Sequence, residues 1–145
     1  MSQPQQPSEE WAAFRAEIIA ATTRPVRKPK GQKTVTANDL TRQIIRFVRQ
    51  DPDAFATRLN STGIYRADLK KYVPSQQVAG MPDIMAVVRG LSIHIEVKVG
   101  NDQVSDAQRN TIADLLRADA WVFVAHDFES FRQWFTVHFL TPPFP

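Results

Sequence analysis

The chain has 145 residues, 43% of them hydrophobic, which is enough for one domain with a modest buried core. It contains no cysteine, so disulfides, thiolate catalysis and Cys-ligated zinc are excluded. With 18 Lys and Arg against 15 Asp and Glu, the net charge is +3, a mild basicity that permits a polyanionic partner without demonstrating one.

Residues 1–7 are rich in Gln and Pro and carry no signal-peptide pattern, so the expected location is the cytoplasm. No apolar run is long enough for a transmembrane helix; the best, Trp121 to Ala125, has the length of a buried strand. Ser8 is placed to cap a short extra helix running to about Ala21, with Trp11, Phe14, Ile18 and Ile19 along one side. Trp11 and Phe14 there offer a partner or dimer surface. From Arg24 to Lys33 follow five cations and no acid: Arg24, Arg27, Lys28, Lys30 and Lys33. This basic linker is either a solvated tether or a phosphate-binding arm that gains affinity by releasing counterions.

A core helix is expected from about Asn38 to Gln50, because Leu40, Ile44, Phe47 and Val48 fall on one stripe. Thr36 and Asp39 have the spacing of a capping box, and Asp51-Pro52 ends the helix. Residues 55–59 read as a short strand, followed by a turn at Asn60-Ser61-Thr62-Gly63. Residues 64–80, with Arg66, Lys70 and Lys71, read as irregular; a loop this long in a compact domain is functional or disordered. Asp83 to Val88 and Leu91 to Val99 read as strands, Ser105 to Arg117 as a helix, Trp121 to Ala125 as a strand and Phe128 to Phe135 as a final helix. The order gives an α/β fold: a mixed four-stranded sheet flanked by helices. The expected organisation is a tail, helix and linker over 1–35, one domain over 36–140 and a tail over 141–145. Trp121, Phe123, Phe131, Trp134 and Phe135 are expected in the core.

The chemistry concentrates in Leu91 to Val99, where odd positions are apolar and even positions polar. Side chains alternate faces along a strand, so Glu96 and Lys98 project from the same face. If Arg89-Gly90 is a two-residue hairpin loop, Asp83 lies opposite Glu96; a three-residue loop would move it to the other face. Opposed residues of an antiparallel pair share a face with Cβ atoms about 5 Å apart. Two carboxylates that close repel unless a cation lies between them, and a hard divalent ion such as Mg2+ or Mn2+ suits carboxylate oxygens. The carbonyl of Val97 is a third available oxygen. Such an ion polarises a phosphodiester and lowers the pKa of a water. Lys98 would orient or deprotonate that water, or neutralise charge on the phosphorane. Gln108 sits on the inward stripe of the next helix, four residues before Ile112; Ser105 to Gln108 is also a capping box. His94 reads as structural, and His126 and His138 lack metal-ligand spacing with each other.

The series Gly80-Met81-Pro82-Asp83, Glu96-Val97-Lys98 and Gln108 resembles the PD-(D/E)XK nuclease superfamily, and within it the VRR-NUC group of virus-type replication-repair nucleases. The resemblance spans roughly residues 36–135. It implies a metal-dependent DNA nuclease, often structure-selective and acting on branched or junction DNA, of a kind found in phages and in repair proteins and commonly dimeric. By the same resemblance Asp83 and Glu96 are metal ligands, Lys98 the catalytic lysine and Gln108 an active-site contact. Relatives place a further acid on the first core helix, where this chain has only Asp39, an aspartate in place of the usual glutamate; metal ligand and helix cap both remain open for it. Gln43 lies near the same stripe. Arg58 and Asn60 resemble an Arg-x-Asn segment that precedes the variable loop in relatives, for which DNA contact and turn chemistry both remain open. Lys70 and Lys71, with Arg27, Lys28 and Lys30 of the linker, are the other candidate DNA contacts. A non-catalytic DNA-binding module on the same scaffold, or an interaction protein working through the N-terminal helix, is the alternative function.

Overall fold

The computed structural model describes residues 34–59, 63–74 and 78–140, together with Ala13 and Ala16, which are helical. The remainder of the expected N-terminal helix, the basic linker with Arg27, Lys28 and Lys30, Asn60 and the tail 141–145 lie outside the described residues.

The domain begins with helix α1, Ala37–Val48. Thr36 caps it: its hydroxyl accepts from the Asp39 amide, and the Asp39 carboxylate returns to the Thr36 amide, satisfying donors that a helix start leaves open. Then come β1, Ala54–Arg58; β2, Ile64–Arg66; β3, Lys71–Val73; β4, Ile84–Val88; and β5, Leu91–Val97. Helix α2, Asp106–Arg117, leads to β6, Trp121–Ala125. Helix α3, Phe128–Phe135, runs into a π-helical turn over Thr136–Leu140.

The four-stranded sheet has the order β1-β4-β5-β6. β4 is antiparallel to β1 and β5, whereas β6 runs parallel to β5, a pairing that requires the crossover α2 supplies. Val88 pairs with Leu91 and Ile84 with Ile95, so the expected two-residue loop is present. Arg89 and Gly90 both take positive φ, +46° and +82°, the conformation of the hairpin turns whose twist matches the strands. Arg89 tolerates it because its guanidinium is anchored, donating to Asp51 Oδ2 at 2.6 Å and to the Phe139 carbonyl at 2.7 Å.

The register sorts residues by face. Ala56, Ile84, Ala86, Ile93, Ile95 and Val97 join Leu40, Ile44 and Val48 of α1 and Phe131 and Phe135 of α3 in one core. The expected core aromatics pack there, Phe123 stacked on Trp134 at 4.7 Å and Phe47 edge-on to Phe131 and Phe135. On the opposite face Val122 and Val124 meet Val104, Ile112 and Leu116, so α2 covers the β6 side of that face.

One expectation is corrected. Residues 64–80 are not wholly irregular: β2 and β3 form a separate antiparallel hairpin, Ile64 opposite Val73 and Arg66 opposite Lys71. Each strand is three residues long and, apart from half-buried Val73, exposed, so no apolar alternation marks it. Among the described residues no helix is long and apolar enough to cross a membrane.

Candidate active site

The segment before β4 is clamped to the start of α2. Gly80 has φ +78°, and a Cβ there would collide with the carbonyl of Ala107 and the amide of Gln108. Glycine is therefore required twice, for conformation and for close approach. One turn on, Thr111 Oγ1 donates to the Ala79 carbonyl at 2.6 Å, and Pro82 is fully buried. The chain thus enters β4 at a fixed place and angle. The Leu59 amide donates to the Asp83 carbonyl at 2.7 Å, tying the end of β1 to the same point.

Asp83 continues the β4–β5 register to the position opposite Glu96. Its Oδ2 accepts from the Val97 amide at 2.9 Å, which fixes the carboxylate across the end of β5. Glu96 is 1% exposed. Its Oε1 accepts from Gln108 Nε2 at 2.6 Å and lies 3.3 Å from Lys98 Nζ. Its Oε2 is buried with no hydrogen-bond partner. Burial, and next the Asp83 charge, push the Glu96 carboxyl up to about 7, against the opposing pull of Lys98; Asp102 adds to the rise.

Lys98 is also buried, with Nζ 3.5 Å from Asp102 Oδ2. Gln108 makes two contacts with different atoms: Oε1 accepts from the Ser105 amide at 2.8 Å to close the capping box, while Nε2 donates to Glu96 Oε1. The cap therefore fixes the rotamer that delivers the amide to the site. His94 lies on the same face of β5, its Nε2 3.2 Å from Ser92 Oγ, and burial lowers its pKa and favours the neutral ring.

Two residues that the sequence patterns did not single out for the site border it. Asp102 reaches Lys98 from the loop after β5. His126 Nδ1 lies 3.0 Å from the Lys98 carbonyl and must donate to it, since a carbonyl only accepts; its buried Nε2 has no partner. The i+4 spacing of Asp102 from Lys98 was visible, but it acquires meaning only once the loop geometry is known. His126 is brought in by the parallel β5–β6 pairing.

The other predicted residues lie elsewhere. Asp39 is exposed in the α1 cap, where its Oδ2 also accepts from Thr36 Oγ1 at 2.7 Å, and it lines a surface groove with Arg42, Gln43, Arg46 and Phe47. Arg58 ends β1 on the α1 side of the sheet, its guanidinium donating to Asn38 Oδ1 at 2.8 Å. Lys70 and Lys71 are exposed on the β2–β3 hairpin.

Among the described residues no three His, Cys, Asp or Glu side chains cluster in a way that could hold a metal ion. Asp83 and Glu96 supply two carboxylates, a number that fits Mg2+, which is commonly bound through one or two carboxylates, waters and substrate phosphates. The unsatisfied Glu96 Oε2 fits it too: a buried carboxylate oxygen without a donor is costly unless something positive meets it.

The description of the VRR-NUC domain family matches residues 39–128, from the first turn of α1 to the first residue of α3. A search of curated proteins finds no match. The matched stretch takes in the whole four-stranded sheet together with Asp83, Glu96, Lys98 and Gln108, and the chain belongs to the VRR-NUC domain family, whose function is nuclease-type DNA processing.

Proposed function

We propose that the protein is a Mg2+- or Mn2+-dependent deoxyribonuclease of the PD-(D/E)XK type, selective for branched or junction DNA. The observation that carries the reading is the buried Glu96 Oε2, without a hydrogen-bond partner, in a carboxylate opposite Asp83 and beside Lys98.

Asp83 and Glu96, with the Val97 carbonyl, would hold the cation; it would supply Lewis-acid charge at the phosphodiester and acidify the attacking water. Asp83 is held in place by the Val97 amide, so its geometry does not depend on the cation. Gln108 holds one oxygen of Glu96 and leaves the other to the cation. Lys98 Nζ, close to Glu96 and Asp102, stands where it would orient the water or meet negative charge growing on the phosphate. The α1 cap occupies Asp39, and the reading stands on Asp83 and Glu96 without it. Arg58, Lys70 and Lys71, and outside the described residues Asn60, Arg27, Lys28 and Lys30, would contact the DNA backbone.

The test uses wild type and Lys98→Ala with labelled fork, junction, single-stranded and duplex DNA, in Mg2+, Mn2+ or EDTA. Cleavage should require the metal, favour branched DNA and fall by about 100-fold or more in the folded variant. Wild type that binds DNA yet cuts none of these substrates in either metal would show a binding module instead.

A further inference from the structure

Between β1 and β4 the chain leaves the sheet and returns to the same place, since the Leu59 amide bonds to the Asp83 carbonyl. The excursion therefore departs from and rejoins the sheet beside a candidate active-site carboxylate. It carries the β2–β3 hairpin, which among the described residues forms its own two-stranded sheet, separate from the four-stranded one.

The hairpin presents its large side chains to solvent: Ile64 is 72% exposed, Tyr65 53% and Tyr72 73%. Tyr65 and Tyr72 are directly opposed, so they share a face, and their rings meet edge-on at 5.3 Å. The polar residues are biased to one sign. Asp68 is neutralised by Arg66 at 2.7 Å, which leaves the Lys70 and Lys71 charges in excess. Tyr65 and Tyr72 thus place two large rings side by side on one exposed face of the hairpin.

Charge selects the occupant. A second copy would bring the same excess of lysine against these lysines, whereas nucleic acid brings phosphates. Exposed aromatic faces ask for exposed base faces, and a duplex hides its base faces by stacking. Unpaired nucleotides offer both phosphate and free base faces, and aromatic stacking with basic side chains is how single strands are held. We propose that the β2–β3 hairpin is a stacking platform for unpaired bases next to the cleaved bond, Tyr65 and Tyr72 taking bases and Lys70 and Lys71 taking phosphates. The proposal rests on the nuclease reading above and gives that reading a physical source of selectivity for forks and other branched DNA that carries unpaired nucleotides.

The test measures binding of the full chain in EDTA to single-stranded, forked and duplex DNA of one sequence. Wild type is compared with Tyr65→Ala/Tyr72→Ala and Tyr65→Phe/Tyr72→Phe, and the mass in solution is followed by sedimentation. The Ala pair should weaken single-strand and fork binding about ten- to a hundredfold and leave duplex binding unchanged. The Phe pair, which keeps the rings, should bind like wild type. Equal loss on duplex, or no loss on any substrate, overturns the platform. A fall from dimer to monomer in the Ala pair overturns it too and assigns the hairpin to a second copy. Metal-dependent cleavage of the same DNAs by wild type reports on the nuclease reading separately. No cleavage with the binding pattern above sinks catalysis alone, and cleavage with unchanged binding in the Ala pair sinks the platform alone.

Discussion

At the residue scale, Glu96 is caught between burial and pairing. Its carboxyl is raised from 4.5 to about 7, chiefly by burial and then by Asp83, so in the metal-free protein it takes up a proton that the unfolded chain at the same pH would not hold. For an acid raised on folding, the stabilisation is present below about 4.5 and is lost as pH rises through about 7. The span corresponds to about 3 kcal/mol, an order of magnitude for this group. In EDTA, urea denaturation should therefore show wild type losing stability between pH 5 and 8, while Glu96→Gln, uncharged throughout, should lose much less and exceed wild type at pH 8. Parallel curves for the two proteins would show that Glu96 does not set the slope. Added Mg2+ should oppose the trend, because the cation needs the deprotonated carboxylate. Asp83, Glu96, Lys98 and Gln108 were legible because strand alternation and a capping-box spacing are local rules. Asp102 and His126 were not, since one depends on a loop conformation and the other on a parallel strand pairing that no local pattern encodes.

At the scale of elements, two glycines with nearly the same backbone make different demands. Gly80 and Gly90 have φ of +78° and +82°, but a Cβ at Gly90 meets nothing within 4 Å, whereas one at Gly80 meets the first turn of α2. Gly90→Ala should cost about 1–2 kcal/mol from left-handed strain alone and leave the proposed cleavage intact. Gly80→Ala adds a backbone collision that must displace α2 or Asp83. It should cost more, about 2–4 kcal/mol, and lower cleavage even where the variant remains folded. Denaturation with activity on one substrate checks both, and equal effects would mean that Gly80 does not set the approach of α2 to β4. The β4–β5 turn was readable because Arg-Gly sits between a continuously apolar run, Ile84 to Val88, and an alternating one, Leu91 to Val99. The β2–β3 hairpin was not, because three-residue strands, exposed apart from half-buried Val73, carry no periodic signal and their packing energy comes from no core.

At the scale of the whole molecule, the order of helices and strands was readable because each core element carries an apolar stripe or run, and α1, α2 and α3 each bury apolar residues of one side. What the order did not show is how charge is shared between the domain and the segment before it. Residues 1–35 hold five of the chain's cations within Arg24 to Lys33, and the family match begins only at residue 39. A chain lacking 1–35 should keep the proposed cleavage, because Asp83, Glu96, Lys98 and Gln108 and the elements that carry them all remain. If the linker is a phosphate-binding arm, its loss should weaken DNA binding most at low salt. Each phosphate contact contributes about 0.7–0.9 to the slope of log affinity against log salt, so losing contacts from the five linker cations should flatten that slope by up to about 4.5. Binding titrations of full-length and truncated protein from low to physiological salt would measure it. Identical slopes would make the linker a tether, and a truncated protein that folds but no longer cuts would place part of the catalytic apparatus in the first 35 residues.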